Sequence, residues 1–137
     1  MKSKKPILLV EDDQVDIMTI KRAIKEIKVA NDLNVTRNGE EALAYLADPA
    51  NEKPCVILLD LNMPKMNGIE FLRAQKKDPK ISMLPVIVLT TSKEELDKSQ
   101  SFQLGVAGYM IKPVDYQQFL EVIRTVDLYW TLSELPE

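Results

Sequence analysis

The sequence predicts an α/β domain, a doubly wound (βα)5 fold with a five-stranded parallel sheet, and three observations carry that reading. Short apolar runs alternate along the chain with longer segments whose apolar residues return every three or four positions. The run Val56-Ile57-Leu58-Leu59 has no polar residue between its apolar ones. That is the pattern of a strand buried on both faces of a parallel sheet. Polar and acidic residues also gather directly after the runs, where open α/β sheets place their ligand crevices.

The elements follow in order. Pro6 to Val10 is a short apolar strand ending at Glu11-Asp12-Asp13. Ile17, Ile20, Ile24 and Ile27 recur at helical spacing, so Gln14 to Lys28 is an amphipathic helix. Leu33 to Thr36 is a second strand, and Asn38-Gly39-Glu40-Glu41 turns into a helix carrying Ala42, Leu43 and Leu46 that stops before Pro49. Asp48 to Pro54 is a loop by its Asp, Asn and Pro content. Cys55 to Asp60 is the third strand, followed by a turn built from Asn62, Pro64, Asn67 and Gly68. A helix from Asn67 to Lys77 carries Ile69, Phe71 and Leu72. Pro85 to Thr90 is the fourth strand, and Lys93 to Gln103 is a polar helix with only Leu96 and Phe102 clearly apolar. Tyr109 to Lys112 is the fifth strand. The last helix starts at Asp115 and runs a stripe through Phe119, Ile123, Val126 and Trp130.

Composition narrows the class. A chain of 137 residues is one domain by size, and 45% hydrophobic with 28% charged residues is ordinary for a globular protein. A net charge of −3 provides no field for nucleic acid or an anionic membrane, and no run approaches transmembrane length. The lone Cys55 excludes an internal disulfide and reads as a small core residue, which fits a reducing, cytoplasmic setting. There is no histidine, so the commonest general base and metal ligand is absent.

In a parallel sheet the strand ends share one edge, which brings together Asp12 and Asp13, Asp60, Thr90 and Lys112. Crowded carboxylates are costly without a cation, and hard oxygen donors of this kind suit Mg²⁺. Asp60 is placed to act as an oxygen nucleophile forming an acyl phosphate, with Lys112 and the metal neutralising the transferred oxygens and Thr90 donating to one of them. Each residue alone has a plainer role: Asp12 and Asp13 as helix caps, Thr90 as a polar strand end, Lys112 as a solvated lysine. Coincidence at four strand ends favours the joint reading.

The segments Leu8-Leu9-Val10-Glu11-Asp12-Asp13, Leu58 to Gly68, Val88-Leu89-Thr90-Thr91-Ser92 and Tyr109-Met110-Ile111-Lys112-Pro113 resemble the receiver domain of two-component response regulators, in the family's order and spacing. The resemblance covers essentially the whole chain and implies a flavodoxin-like receiver over about 6–131 in a single domain with no output domain. It implies that a sensor histidine kinase phosphorylates Asp60. It also implies that Asp13, Asp60 and the main-chain carbonyl of Asn62 hold Mg²⁺, with Asp12 acting through water. Thr90 and Tyr109 match the family's switch pair. Asn67 departs from the family, where many members have aspartate, and no loss of activity is expected from a turn position. Such a protein is a phosphoacceptor that assists its own phosphorylation and dephosphorylation rather than an enzyme on other substrates.

Asp16, Asn38 to Leu43, Leu89 to Ser92 and Tyr129-Trp130-Thr131-Leu132 further resemble the small stand-alone regulators paired with bacterial phytochromes. Output then passes through the chain's own surface. The resemblance suggests a homodimer through helix four, strand five and helix five, with Tyr116, Leu120, Leu128 and Tyr129 left outside the core stripe. Two rival functions carry less weight. A phosphatase with an aspartate nucleophile wants a second aspartate two residues on, where this chain has Asn62. A phosphorylation-independent scaffold would be expected to have lost one of the acids, the hydroxyl or the lysine, and all are present.

Overall fold

Strands that are apolar at every position must be covered on both sides, and this chain does so with helices on each face. The structure, a computed structural model, describes residues 4–132, with side chains described through residue 128. The elements are β1 (Ile7–Val10), α1 (Gln14–Glu26), β2 (Leu33–Thr36), α2 (Gly39–Ala47), β3 (Val56–Leu59), α3 (Gly68–Lys77), β4 (Val86–Thr90), α4 (Glu95–Gln103), β5 (Gly108–Ile111) and α5 (Tyr116–Leu132). The strands form one parallel sheet in the order β2-β1-β3-β4-β5. Alternation along each strand divides the core. Ile7, Leu9, Leu58, Ile87 and Leu89 pack with Ile17, Ile20 and Ile24 of α1 and with Phe119, Ile123 and Val126 of α5. Leu8, Val10, Ile57, Leu59, Val86 and Val88 pack with Ala42 and Leu46 of α2 and with Ile69, Phe71 and Leu72 of α3.

Chain order reverses direction between β1 and β3, which makes their carboxyl ends the crevice of the sheet. Val10 pairs with Leu59, so the next residues, Glu11 and Asp60, emerge side by side. Thr90 pairs with Ile111 on the same edge, and the Lys112 amide donates to the Thr90 carbonyl at 2.8 Å.

Several local readings change. Helix α1 stops at Glu26, and Lys28 at φ 61° turns the chain out of it through the left-handed region. Helix α4 begins at Glu95 without a side-chain cap, and Ser101 is its buried residue. Its apolar residues, Leu96 and Phe102, are exposed. On α5, Leu120 is buried in the core and so is not left for an interface as expected, while Tyr116 is half-buried and packs against the core. Leu128 is exposed. Tyr129 and Trp130 lie outside the residues whose side chains are described. Asn67 caps α3 in a reciprocal box: its side chain accepts from the Glu70 amide, and the Glu70 carboxylate accepts from the Asn67 amide. Asparagine caps a helix about as well as aspartate, so the departure at Asn67 has a structural role.

Candidate functional site

The first residue beyond β1 and the first beyond β3 are both acids, Glu11 and Asp60, and both are buried. Asp12 follows, exposed at the rim. Carboxylate oxygens of Glu11, Asp12 and Asp60 all lie within 4.8 Å of one another, close enough that they could share a cation. One residue expected as a ligand is otherwise engaged in this structure. Asp13 is the N-cap of α1: its carboxylate accepts from the amides of Val15 at 2.8 Å and Asp16 at 3.1 Å. A cap of this kind contributes about 1 kcal/mol. The acid that joins Asp12 and Asp60 is Glu11, because β1 ends at Val10 and the sheet register sets the next residue beside Asp60. An equal offset from the ends of the two apolar runs was the available signal. Asn62 lies exposed in the loop two residues after Asp60.

Lys112 reaches into this group from the end of β5. Its ammonium donates to Glu11 Oε1 and, at 2.9 Å, to Asp16 Oδ2, while Asp60 Oδ1 lies 3.8 Å away. Burial works against the Lys112 charge, but its bonds to Glu11 and Asp16 and the field of Asp60 and Glu11 outweigh it and raise its pKa. Glu11 is driven the other way from an ordinary carboxylate. Burial, aided by the nearby charge of Asp60, pushes it up to about 7 despite the bond from Lys112. The site therefore carries more negative charge than its own lysine satisfies, and a divalent cation would reverse that balance.

Two further groups face the same edge. Thr90 is fully buried, and its Oγ1 accepts from the Ser92 amide at 3.3 Å. Tyr109 sends its hydroxyl to the Ser92 carbonyl at 2.9 Å, and burial raises the pKa of the phenol, which stays a donor at neutral pH. Ser92 in turn donates through Oγ to Asp97 Oδ2 of α4 at 2.6 Å. Thr90, Tyr109 and the first turn of α4 are thus joined through one residue.

Gly68, in the turn and at the start of α3, sets how closely α3 approaches Asp60. Its amide donates to the Leu61 carbonyl at 3.0 Å. A Cβ there would stand 2.5 Å from the Asp60 carbonyl oxygen and 2.8 Å from Leu61 Cα, both backbone atoms. Gly68→Ala is expected to destabilise the fold by about 2 kcal/mol through overpacking. Urea unfolding measures this, and a midpoint equal to the parent's would contradict the close approach.

The chain is similar to known proteins in sequence and fold. A family model described as the response regulator receiver domain matches residues 7–124. Response regulator Rcp1 of Synechocystis sp. is 34% identical over 130 residues, spanning 92% of this chain and 88% of that protein. A crystal structure of the phosphorylated cyanobacterial phytochrome response regulator RcpA superposes with a TM-score of 0.89 at 38% identity, covering 98% of this chain and 99% of that one. The Mn(2+)-bound form of response regulator Rcp1 superposes with a TM-score of 0.89 at 33% identity, covering 98% of this chain and 100% of the other.

Proposed function

Because the chain belongs to the response regulator receiver family of two-component signalling, we propose that it takes a phosphoryl group from a phosphohistidine of a sensor histidine kinase onto Asp60. The observation that carries this is the meeting of Asp60 with Glu11, Asp12 and Lys112 at one sheet edge. An Asp60 carboxylate oxygen attacks phosphorus, and the bond from phosphorus to the imidazole nitrogen breaks with its electron pair left on the ring. The product is an acyl phosphate, and water attack on its phosphorus returns the carboxylate and inorganic phosphate. Lys112 opposes the charge on the transferred oxygens, and Thr90 is placed to donate to one of them.

The donor set fits Mg²⁺: three carboxylates of hard oxygen, with the Asn62 main-chain carbonyl in the adjoining loop. Glu11, Asp12, Asp60 and that carbonyl would hold it, and when bound it supplies further charge neutralisation at the phosphoryl oxygens. Adding 10 mM Mg²⁺ is expected to raise stability by about 1.4 kcal/mol if the dissociation constant is roughly millimolar. Asp12→Asn, at the exposed rim, should lose most of that gain. Thermal unfolding with and without the ion reads this, and an equal gain in both proteins would remove Asp12 from the ligand set.

Likeness to phytochrome response regulators supports a phytochrome-type kinase as the donor. The same reading makes the chain a cytoplasmic phosphoacceptor rather than a turnover enzyme. It also gives output to the surface of α4, β5 and α5, where Leu96, Phe102 and Leu128 are exposed and self-association would bury them. The link from Thr90 and Tyr109 through Ser92 to Asp97 supports α4 as the element that responds.

A further inference from the structure

A lysine that must meet a phosphoryl group is held here by two carboxylates besides Asp60. The ammonium has three N–H donors. One is taken by Glu11, which is 1% exposed, and a second by Asp16 Oδ2 at 2.9 Å. Asp60 Oδ1, at 3.8 Å, is in ion-pair range and beyond a hydrogen bond. The two competitors are not equivalent. Water cannot replace Lys112 at the buried Glu11, whereas the Asp16 side chain is 32% exposed and can exchange Lys112 for solvent.

Asp16 is also held from outside the site. It lies in the first turn of α1, where its amide is capped by Asp13. Further along α1, Arg22 stacks over the Tyr116 ring of α5 at 3.8 Å. The helix that carries the Asp16 carboxylate is thus packed against the element that follows Lys112.

We propose that Asp16 is a positioning residue for Lys112: it draws the ammonium back from Asp60 and competes with incoming phosphoryl oxygens for it. This rests on Asp60 being the phosphoacceptor. Transfer of a phosphoryl group to Asp60 then exchanges the Asp16 bond of Lys112 for one to a phosphoryl oxygen, while the Glu11 bond is retained. Asp16 weakens binding of the anionic donor and shortens the life of the acyl phosphate. A plain helix-terminus acid in the same place would stabilise α1 and do neither.

Initial phosphorylation rates against acetyl phosphate concentration, in Mg²⁺ and followed by intact mass, separate these roles. Asp16→Asn and Asp16→Ala are expected to lower KM by about threefold or more, with a smaller change in the maximal rate. Both variants should keep the label correspondingly longer once donor is removed, and Asp16→Glu should return towards the parent. An unchanged or raised KM, or a loss confined to the maximal rate and melting temperature, overturns the proposal. Label on the parent with Asp16→Asn behaving identically sinks only the Asp16 assignment. No label on the parent removes the acceptor reading and this one with it.

Discussion

Asp60→Asn is expected to take up no phosphoryl group from acetyl phosphate, while unfolding no more easily than the parent in cation-free buffer. The amide nitrogen and carbonyl of asparagine are poor nucleophiles, so the acyl phosphate does not form. Stability is the informative half. Asp60 is buried beside Glu11, and its charge helps drive the Glu11 carboxyl up. Neutralising Asp60 relieves that repulsion and leaves Lys112 its bonds to Glu11 and Asp16. Intact mass and a melting curve on the same sample test both. Label on the variant would remove Asp60 as acceptor, and a large fall in melting temperature would contradict the electrostatics.

Lys112→Ala should be damaging twice over. Phosphorylation is expected to slow by about a hundredfold, the scale for losing one preorganised charge donor at a transferring group. Glu11 is left buried without its closest partner, and breaking such a pair costs about 3–5 kcal/mol. The loss should fall near about 3 kcal/mol, the lower end of that range, because the Glu11 carboxyl already sits at about 7 and can take a proton. Lys112→Arg is not expected to restore the rate, since a planar guanidinium fork does not reproduce the compact point charge that Glu11 and Asp16 hold. Rates by intact mass and stability by urea unfolding measure both effects. A rate within about threefold of the parent would place Lys112 outside the transfer chemistry.

These effects depend on positions that the sequence reveals unevenly. The strands were plain because a parallel sheet buried on both faces leaves unbroken apolar runs, as in Val56–Leu59 and in residues 86–89. Asp60, Thr90 and Lys112 were legible for the same reason, each standing at the end of such a run. The run Glu11-Asp12-Asp13 was harder. Periodicity cannot say which of three successive acids faces the crevice, and the choice is made by the register between β1 and β3 and by the need of α1 for a cap. Asp16 beside Lys112 was not legible at all as a contact, since 96 residues separate them and only the docking of α1 near β5 joins them. Helix α4 gave little signal because it is polar, uncapped and buries Ser101 rather than an apolar stripe. Nor could an apolar pattern on α5 tell the buried Leu120 from the exposed Leu128.

The most direct measurement is the intact mass of the parent protein after incubation with acetyl phosphate, once with Mg²⁺ and once with chelator, followed by mapping of the modified peptide. The account predicts one added phosphoryl group with Mg²⁺, none with chelator, and the modification on Asp60. No added mass with Mg²⁺, or a phosphoryl group mapped to another residue, would contradict it.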